Sequence, residues 1–192
     1  MDRERDINLM LRVKDGDLAA FEALYARYSR PLTNFFYRLV WDRGLSEDLM
    51  QETFLRLWRG KKNYRPSGKF TTYMFQIAKN HWLNERDKRN RRIAPVSMDA
   101  GGDAESNGLK ESLPGKGIGP MTENLNRELG EKIAGAVEGL SEKLRLVFVL
   151  GQIQGMKYAD IGEILGIPVG TVKSRMANAE KALRGRLSSY LR

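Results

Sequence analysis

The chain has 192 residues, carries a formal net charge of +9 at pH 7 and contains no cysteine. The absence of cysteine excludes disulfides, thiolate zinc sites and a cysteine nucleophile. No apolar run approaches the roughly 20 residues of a membrane span, and the charged start MDRERDINLM is unlike a signal peptide. We therefore expect a cytoplasmic protein with no direct membrane insertion. The positive charge favours an anionic partner, although a basic surface without a partner would have the same composition.

The N-terminal third contains two amphipathic stretches that predict helices. In both stretches apolar residues recur at i, i+3, i+4 and i+7: Phe21, Leu24, Tyr25 and Tyr28, then Leu32, Phe35, Phe36 and Leu39. Pro31 separates them and predicts either a kink or a helix start. Both apolar faces are expected to line a core.

A third helix is predicted from Ser46, as its N-cap, to about Trp58. Its core face is predicted to consist of Met50, Phe54, Leu57 and Trp58. The other side forms a polar patch with one leucine, made of Asp48, Gln51, Glu52 and Leu55. The patch has a simple alternative, because Glu52 and Arg56 can form an i, i+4 ion pair on a solvated face. A metal pair of Asp48 and Glu52 is disfavoured, because no third ligand is evident.

A fourth helix is predicted from about Phe70 to near Arg91, and it combines aromatic residues with positive charge. Tyr73, Asn80 and Asn84 share a face at i, i+7 and i+11. Rings, amides and cations together suit unstacked bases, because rings stack on bases and amides bond their edges. The alternative places Tyr73 in the core and leaves the basic end merely solvated. Trp82 is predicted to be a core residue.

Residues 95 to 125 differ from both flanks. They contain six of the nineteen glycines and three of the six prolines of the chain, and their charge is five acids against two lysines, −5 + 2 = −3. Large apolar residues are scarce, so this stretch cannot build a core. It predicts a flexible acidic linker between an N-terminal domain at 1–94 and a C-terminal domain at 126–192. An ordinary tether without a function would have the same composition.

The C-terminal domain is predicted to be helical as well. One helix is expected near 126–140, a second follows Ser141 as its cap, and a third contains Ile161, Ile164 and Leu165 on one side. Gly166 ends this helix, and Pro168 suits the first turn of the next one. Val172, Met176, Ala179 and Leu183 then give the last helix a single buried stripe. Gly162 allows the final two helices to approach closely. With no alternating strand pattern, the fold class is all-α.

A short helix, a glycine turn and a second helix are the parts of a helix-turn-helix. The last helix leaves a polar face outside its buried stripe, made of Thr171, Lys173, Ser174, Arg175 and Asn178. Arginine can bond guanine bidentately, asparagine can bond adenine, and serine or lysine can hold phosphate. Arg184 and Arg186 are predicted to extend this basic surface. A helical hairpin with a solvated basic face is the alternative.

Two segments carry a resemblance to a known family. LSEKLRLVFVLGQIQGMKYADIGEILGIPVGTVKSRM, together with LSEDLMQETFLRLWRG at 45–60, resembles bacterial sigma factors of the extracytoplasmic-function type. The resemblance covers nearly the whole chain and includes two motifs in the right order. It implies a promoter-specificity subunit of RNA polymerase, with core polymerase and promoter DNA as partners and with control by an anti-sigma factor.

The resemblance also implies roles for the residues singled out above. The third helix would dock on the coiled coil of the largest polymerase subunit through Asp48, Gln51, Glu52 and Leu55. The fourth helix would hold the single-stranded minus-ten element, with the loop at 70–73 walling a pocket for a flipped base; the residues are Phe70, Thr71, Thr72, Tyr73, Asn80, Asn84, Lys88 and Arg89. The last helix would read the duplex minus-thirty-five element through Thr171, Lys173, Ser174, Arg175 and Asn178.

This sequence departs from the family pattern in the last helix. Asn178 and Glu180 stand where the family commonly has cations, so the promoter sequence cannot be transferred. A stand-alone helix-turn-helix regulator, which would bind duplex DNA tightly without polymerase, is the alternative function. An enzyme is disfavoured, because the sequence has no Walker loop, serine elbow or metal cluster. We expect no catalysis, no cofactor and no small-molecule substrate.

Overall fold

The computed structural model describes residues 3–93, 130 and 132–188, and within these ranges every regular element is helical. The helices, in chain order, are α1 (Arg3–Lys14), α2 (Leu18–Val40), α3 (Arg43–Arg59), α4 (Phe70–Ile93), α5 (described over 132–138), α6 (Glu142–Phe148), α7 (Tyr158–Leu165) and α8 (Val169–Leu187). No strand occurs in this part of the chain, which confirms the all-α prediction. None of these helices is both long and apolar enough to cross a membrane. The predicted linker at 95–125 lies outside the described residues.

Helix α2 is one continuous helix that contains both predicted amphipathic stretches. It begins after Asp17, whose carboxylate accepts a hydrogen bond from the amide of Ala20 at 3.0 Å. Pro31 lies inside the helix, which excludes the helix start, one of the two alternatives that the sequence left open at this residue. The predicted apolar face is buried except at Phe21, which is half-buried, and Tyr25, which is exposed. A long helix with this pattern supplies much of the core by itself.

Helix α3 begins earlier than the sequence predicted. Asp42 is its N-cap and accepts from the amide of Leu45 at 2.9 Å, so the prediction that Ser46 caps this helix is wrong. Ser46 is buried inside the helix, where its hydroxyl donates to the carbonyl oxygen of Asp42 at 2.5 Å. The first backbone amides of a helix have no partner within the helix. Because Asp42, four residues upstream of Ser46, already accepts from one of them, Ser46 is not needed as the cap.

A buried acid ties α1 to α2. Asp6 is buried, pairs with the guanidinium of Arg27 and accepts a hydrogen bond from the Tyr28 hydroxyl at 2.5 Å. Burial and the adjacent Asp6 carboxylate raise the pKa of Tyr28 well above its usual range, so the phenol stays a donor. A buried carboxylate needs such partners, because an unpaired charge away from water is strongly destabilising.

The C-terminal half is built around α6 and α8. Ser141 precedes α6 at the predicted cap position, but its side chain makes no capping hydrogen bond. The predicted helix then continues as a π-helical turn, Val149–Ile153, a wider winding that periodicity alone does not indicate. Within this turn, Gly151 lies against the methyl group of Met176 in α8, so a Cβ at this position would require the end of the Met176 side chain to move.

The turn between α7 and α8 follows the prediction closely. Gly166 ends α7 in the left-handed region with φ 66°, and Pro168 directly precedes α8. The stripe of Val172, Met176, Ala179 and Leu183 is buried as predicted. The two helices approach at Gly162, where an added Cβ would lie 2.9 Å from the carbonyl oxygen of Ile167. This geometry is that of a helix-turn-helix.

Replacing Gly162 by alanine is therefore expected to lower the free energy of unfolding by about 1 kcal/mol, because the backbone contact resists the added methyl group. The clash itself costs about 2 kcal/mol, and the gain in helix propensity, about 1 kcal/mol, offsets about half of it. Gly135 in α5 is the matched control, since an added Cβ there meets nothing within 4 Å. Gly135→Ala should leave stability unchanged or raise it. Urea unfolding of both variants checks this; equal stability of the two would contradict the close-approach argument.

Candidate polymerase and DNA interface

The outer face of α3 presents the predicted polar patch. Asp48, Gln51 and Leu55 are exposed, and the Leu55 side chain is open to solvent at 46%. Glu52 is less open, at 31%, because its carboxylate pairs with Arg56 at 3.1 Å and with Arg59 at 3.5 Å. The i, i+4 ion pair that the sequence offered as an alternative is therefore present. Exposed pairs of this kind contribute little, about 0–1 kcal/mol, and can be exchanged for a partner's cation.

Aromatic packing against α2 fixes the position of α3. The ring of Phe54 contacts the rings of Phe21 at 5.8 Å and Tyr25 at 4.8 Å, measured between centroids, and Trp58 lies 5.1 Å from Phe21. Tyr25 was predicted for the core, but it stands at the edge of this cluster, exposed beside α3. The two contacts of Phe21 are edge-to-face and that of Tyr25 is tilted, and together they fix the two helices relative to each other.

The first turn of α4 consists of residues 70–73, so the prediction that these residues form a loop is wrong; the loop precedes them. Phe70 and Thr72 are each only 2% exposed. Tyr73 is half-buried, its ring lies 5.0 Å from the ring of Tyr64, and burial raises the pKa of its hydroxyl. Thr71 is half-buried as well. Phe70 and Thr72 therefore face the protein interior at the first turn of α4.

The remainder of α4 presents amides and cations to solvent. Asn80 and Asn84 are exposed, about one helical turn apart. Lys88 and Arg89 are exposed near the end of the helix; Lys88 also pairs with Glu85 at 2.7 Å, a bond that lowers the pKa of that carboxyl. The predicted amide and basic face is thus at the surface. Trp82 is buried as predicted.

His81 lies on α4 close to Arg56 and Glu52 of α3. It is buried, with only 4% of its surface exposed. Burial lowers the pKa of its imidazole; Arg56 and Lys88 act in the same direction, while Glu85 and Glu52 oppose it. The imidazole is therefore held neutral at pH 7.

This burial predicts a pH dependence of stability. Below about pH 6.5 the unfolded chain binds a proton at His81 that the folded protein resists. Stability should therefore fall as the pH decreases from 6.5 toward 5 and should be flat above this range. His81→Leu is expected to reduce that slope, and urea unfolding midpoints at successive pH values measure it. Since Nδ1 of His81 has no hydrogen-bond partner, the leucine removes no bond at that atom. An unchanged slope would exclude His81 as its source.

The outer face of α8 carries the residues predicted to meet DNA. Lys173, Ser174 and Asn178 are exposed, whereas Thr171 and Arg175 are half-buried. The Ser174 hydroxyl donates to the carbonyl oxygen of Thr171 at 3.0 Å. These five side chains occupy the first three turns of the helix, the part that enters a major groove in a helix-turn-helix.

Two charged residues of α8 have contacts that the sequence did not indicate. The carboxylate of Glu180 accepts a hydrogen bond from the Gln152 side chain at 3.3 Å. Arg186 donates to the carbonyl oxygens of Ala136 at 3.0 Å and Gly139 at 2.6 Å. Arg186 is an exposed cation that also satisfies open carbonyls at the end of α5.

Sequence comparison assigns both helical regions. The family described as Sigma-70 region 2 matches residues 24–92, and the family described as Sigma-70, region 4 matches residues 130–183. The RNA polymerase sigma-H factor of Pseudomonas aeruginosa is 31% identical over 99% of this chain and 97% of its own length. The ECF RNA polymerase sigma-E factor of Escherichia coli is 30% identical over 96% of this chain and 95% of its own.

Solved structures agree with this fold. CnrH, in its complex with the cytosolic domain of CnrY, matches with a TM-score of 0.70 at 22% identity, covering 97% of this chain and 99% of that one. The sigma factor RpoE of Bartonella quintana, in complex with the anti-sigma factor NepR, matches with a TM-score of 0.71 at 21% identity, covering 88% and 96%. The chain belongs to the extracytoplasmic-function family of RNA polymerase sigma factors.

Proposed function

We propose that this sigma factor uses three helices for three contacts: α3 for core polymerase, α4 for the minus-ten strand and α8 for the upstream duplex. The observation that carries the proposal is the face of α8, where a polar and basic surface lies opposite a fully buried stripe in a helix-turn-helix. A helix of that kind can enter a major groove without exposing its apolar side. The domain boundaries, 1–94 and 126–192 around the linker at 95–125, belong to this proposal.

Helix α3 docks on core polymerase in this scheme. Asp48, Gln51, Glu52 and Leu55 offer carboxylates, an amide and an apolar contact on a helix fixed by aromatic packing. Such a surface suits a basic helical partner, because charge complementarity steers the encounter while the leucine is buried on contact.

Helix α4 holds the separated minus-ten strand. Asn80 and Asn84 bond base edges, Lys88 and Arg89 hold phosphates, and Thr71 and Tyr73 border the pocket for an extruded base. Phe70 and Thr72 support that border from inside. Contacts to the extruded base offset the few kcal/mol that unstacking requires.

Helix α8 reads the upstream element as duplex. Arg175 and Asn178 address bases, and Thr171, Lys173 and Ser174 contact the backbone. The side chain of Gln152 donates to the carboxylate of Glu180 and thereby turns that carboxylate toward the protein. This contact lessens the repulsion that an acid in this helix would exert on phosphate.

The protein acts without catalysis of its own and works in the cytoplasm with the polymerase. An anti-sigma factor controls it: RpoE, which shares its fold, is described in complex with an anti-sigma factor. The polymerase supplies all of the chemistry of transcription, so the sigma factor contributes binding energy and strand selection.

Reconstituted transcription tests the proposal. Core bacterial RNA polymerase is mixed with the protein and a library of promoter fragments, and the transcripts are sequenced. Transcripts that start downstream of one shared pair of elements, and only when the protein is present, are the expected result. Tight, specific duplex binding without polymerase, together with unchanged initiation, would instead identify a stand-alone regulator.

A further inference from the structure

One apolar side chain lies at the start of the helix proposed to read duplex DNA. Val169, the first residue of α8, is 41% exposed. Over the described length of α8, 169–187, it is the only large apolar residue that is exposed. Isolated apolar residues are common on protein surfaces and need no partner. Val169 differs from these in its position, because the first residues of a recognition helix are the ones that contact base edges.

The helix-turn-helix holds the Val169 side chain in a defined direction. Its Cγ2 lies 3.7 Å from the position that a Cβ on Gly162 of α7 would take, so this methyl group lies at the point where the two helices approach. Valine is branched at Cβ and has one strongly preferred rotamer in a helix. Because one side of this stiff side chain is fixed against α7, its exposed part has a fixed orientation toward solvent.

Gly170 keeps the space beside Val169 open. It is exposed in the first turn of α8, and a Cβ added there would meet nothing within 4 Å. Packing among the described residues therefore does not require a glycine at this position, although glycine is less favourable than alanine in a helix. Since Gly170 has no side chain, the edge of a base pair can approach Val169 without a steric barrier.

An apolar surface at this position suits one group of DNA. In the major groove the base edges present hydrogen-bond donors and acceptors, and the 5-methyl group of thymine is the apolar group among them. Arg175 and Asn178, which are proposed to read bases, bond the polar edges of guanine and adenine instead. Contact between Val169 and a thymine methyl group would remove apolar surface of both from water, which is favourable.

We propose that Val169 contacts the 5-methyl group of a thymine in the upstream element and thereby favours thymine at that position. The inference rests on the function proposed for α8, to which it adds a specificity-determining residue. The contact is made without hydrogen bonds and without charge. Salt therefore does not screen it, in contrast to the phosphate contacts of Lys173.

Replacing thymine by deoxyuridine tests the contact, because this change removes the methyl group and leaves the base pair intact. Wild-type holoenzyme first selects the upstream element from randomised duplex fragments. Each thymine of the selected element is then replaced in turn, and fragment binding is measured for holoenzymes with wild type, Val169→Ala and Val169→Ser. We expect replacement at one thymine to weaken wild-type binding about fourfold, the effect of one methyl group removed from an apolar contact. Both variants should bind the two fragments equally.

Ile133→Ala is the matched control, since Ile133 is an apolar residue of similar exposure, 40%, in α5. This variant should keep the wild-type response to deoxyuridine. Val169→Ser carries the test if Val169→Ala folds poorly, and urea unfolding shows which variant is intact.

Three results would overturn the contact: a selected element without thymine, wild-type binding that no replacement weakens, or variants of Val169 that keep the response. Failure of the function proposed for α8 is a different result, because the holoenzyme would then select no preferred sequence in the upstream element.

Discussion

Replacing Asp48 and Glu52 by lysine is expected to weaken binding to core RNA polymerase by at least about 100-fold, because like charges across an interface cost several kcal/mol. Both residues lie on the outer face of α3, beside the exposed Leu55. The change reverses the charge of a surface proposed to meet a basic helix. It also removes the Glu52 pairs with Arg56 and Arg59, which contribute little to folding because they are exposed.

Gel filtration of the protein with core polymerase provides the measurement. Wild type should elute with the polymerase in stoichiometric amount, and the double variant should not. Glu4→Lys/Asp15→Lys is the matched control, since it makes the same total charge change at exposed positions on and after α1. Its binding should equal that of wild type. If the α3 variant still co-elutes, the chain remains a sigma factor but its docking surface lies elsewhere.

Helical periodicity was sufficient to predict most of the core. The buried stripe of α8, the buried part of α2 and the inner face of α3 all follow the 3.6-residue spacing, because each helix must bury one side. The roles of Gly166 and Gly162 could also be predicted from the sequence, because a left-handed turn and a close helix crossing both favour glycine. Sequence alone could therefore define the helix-turn-helix.

Polar contacts between distant segments were not predictable in the same way. Asp6 with Tyr28, Arg145 with Leu39, and Arg186 with Ala136 depend on which helix ends meet in space, and no periodic pattern records that. Arg186, which was predicted to extend the basic surface, also bonds carbonyl oxygens at the end of α5, and the sequence did not indicate that contact.

Arg175→Ala is expected to weaken binding of the holoenzyme to its upstream element by about 1–3 kcal/mol and to relax specificity at one base pair. The half-buried stem of Arg175 emerges from the second turn of α8, where the helix fixes its direction. Lys173 is exposed on the same helix and is proposed to contact phosphate. Lys173→Ala should therefore weaken binding to all sequences alike and reduce the salt dependence by about one counterion.

The two variants separate base reading from backbone anchoring. Reconstituted holoenzyme is presented with fragments whose upstream element is randomised, and bound fragments are sequenced at several salt concentrations. Lys143→Ala, a change at an exposed lysine of α6, is the control and should reproduce the wild-type selection. If Arg175→Ala keeps full preference at every position, then α8 is not reading bases through this arginine. The polar face opposite its buried stripe would in that case anchor phosphates only, and upstream specificity would have to come from DNA shape.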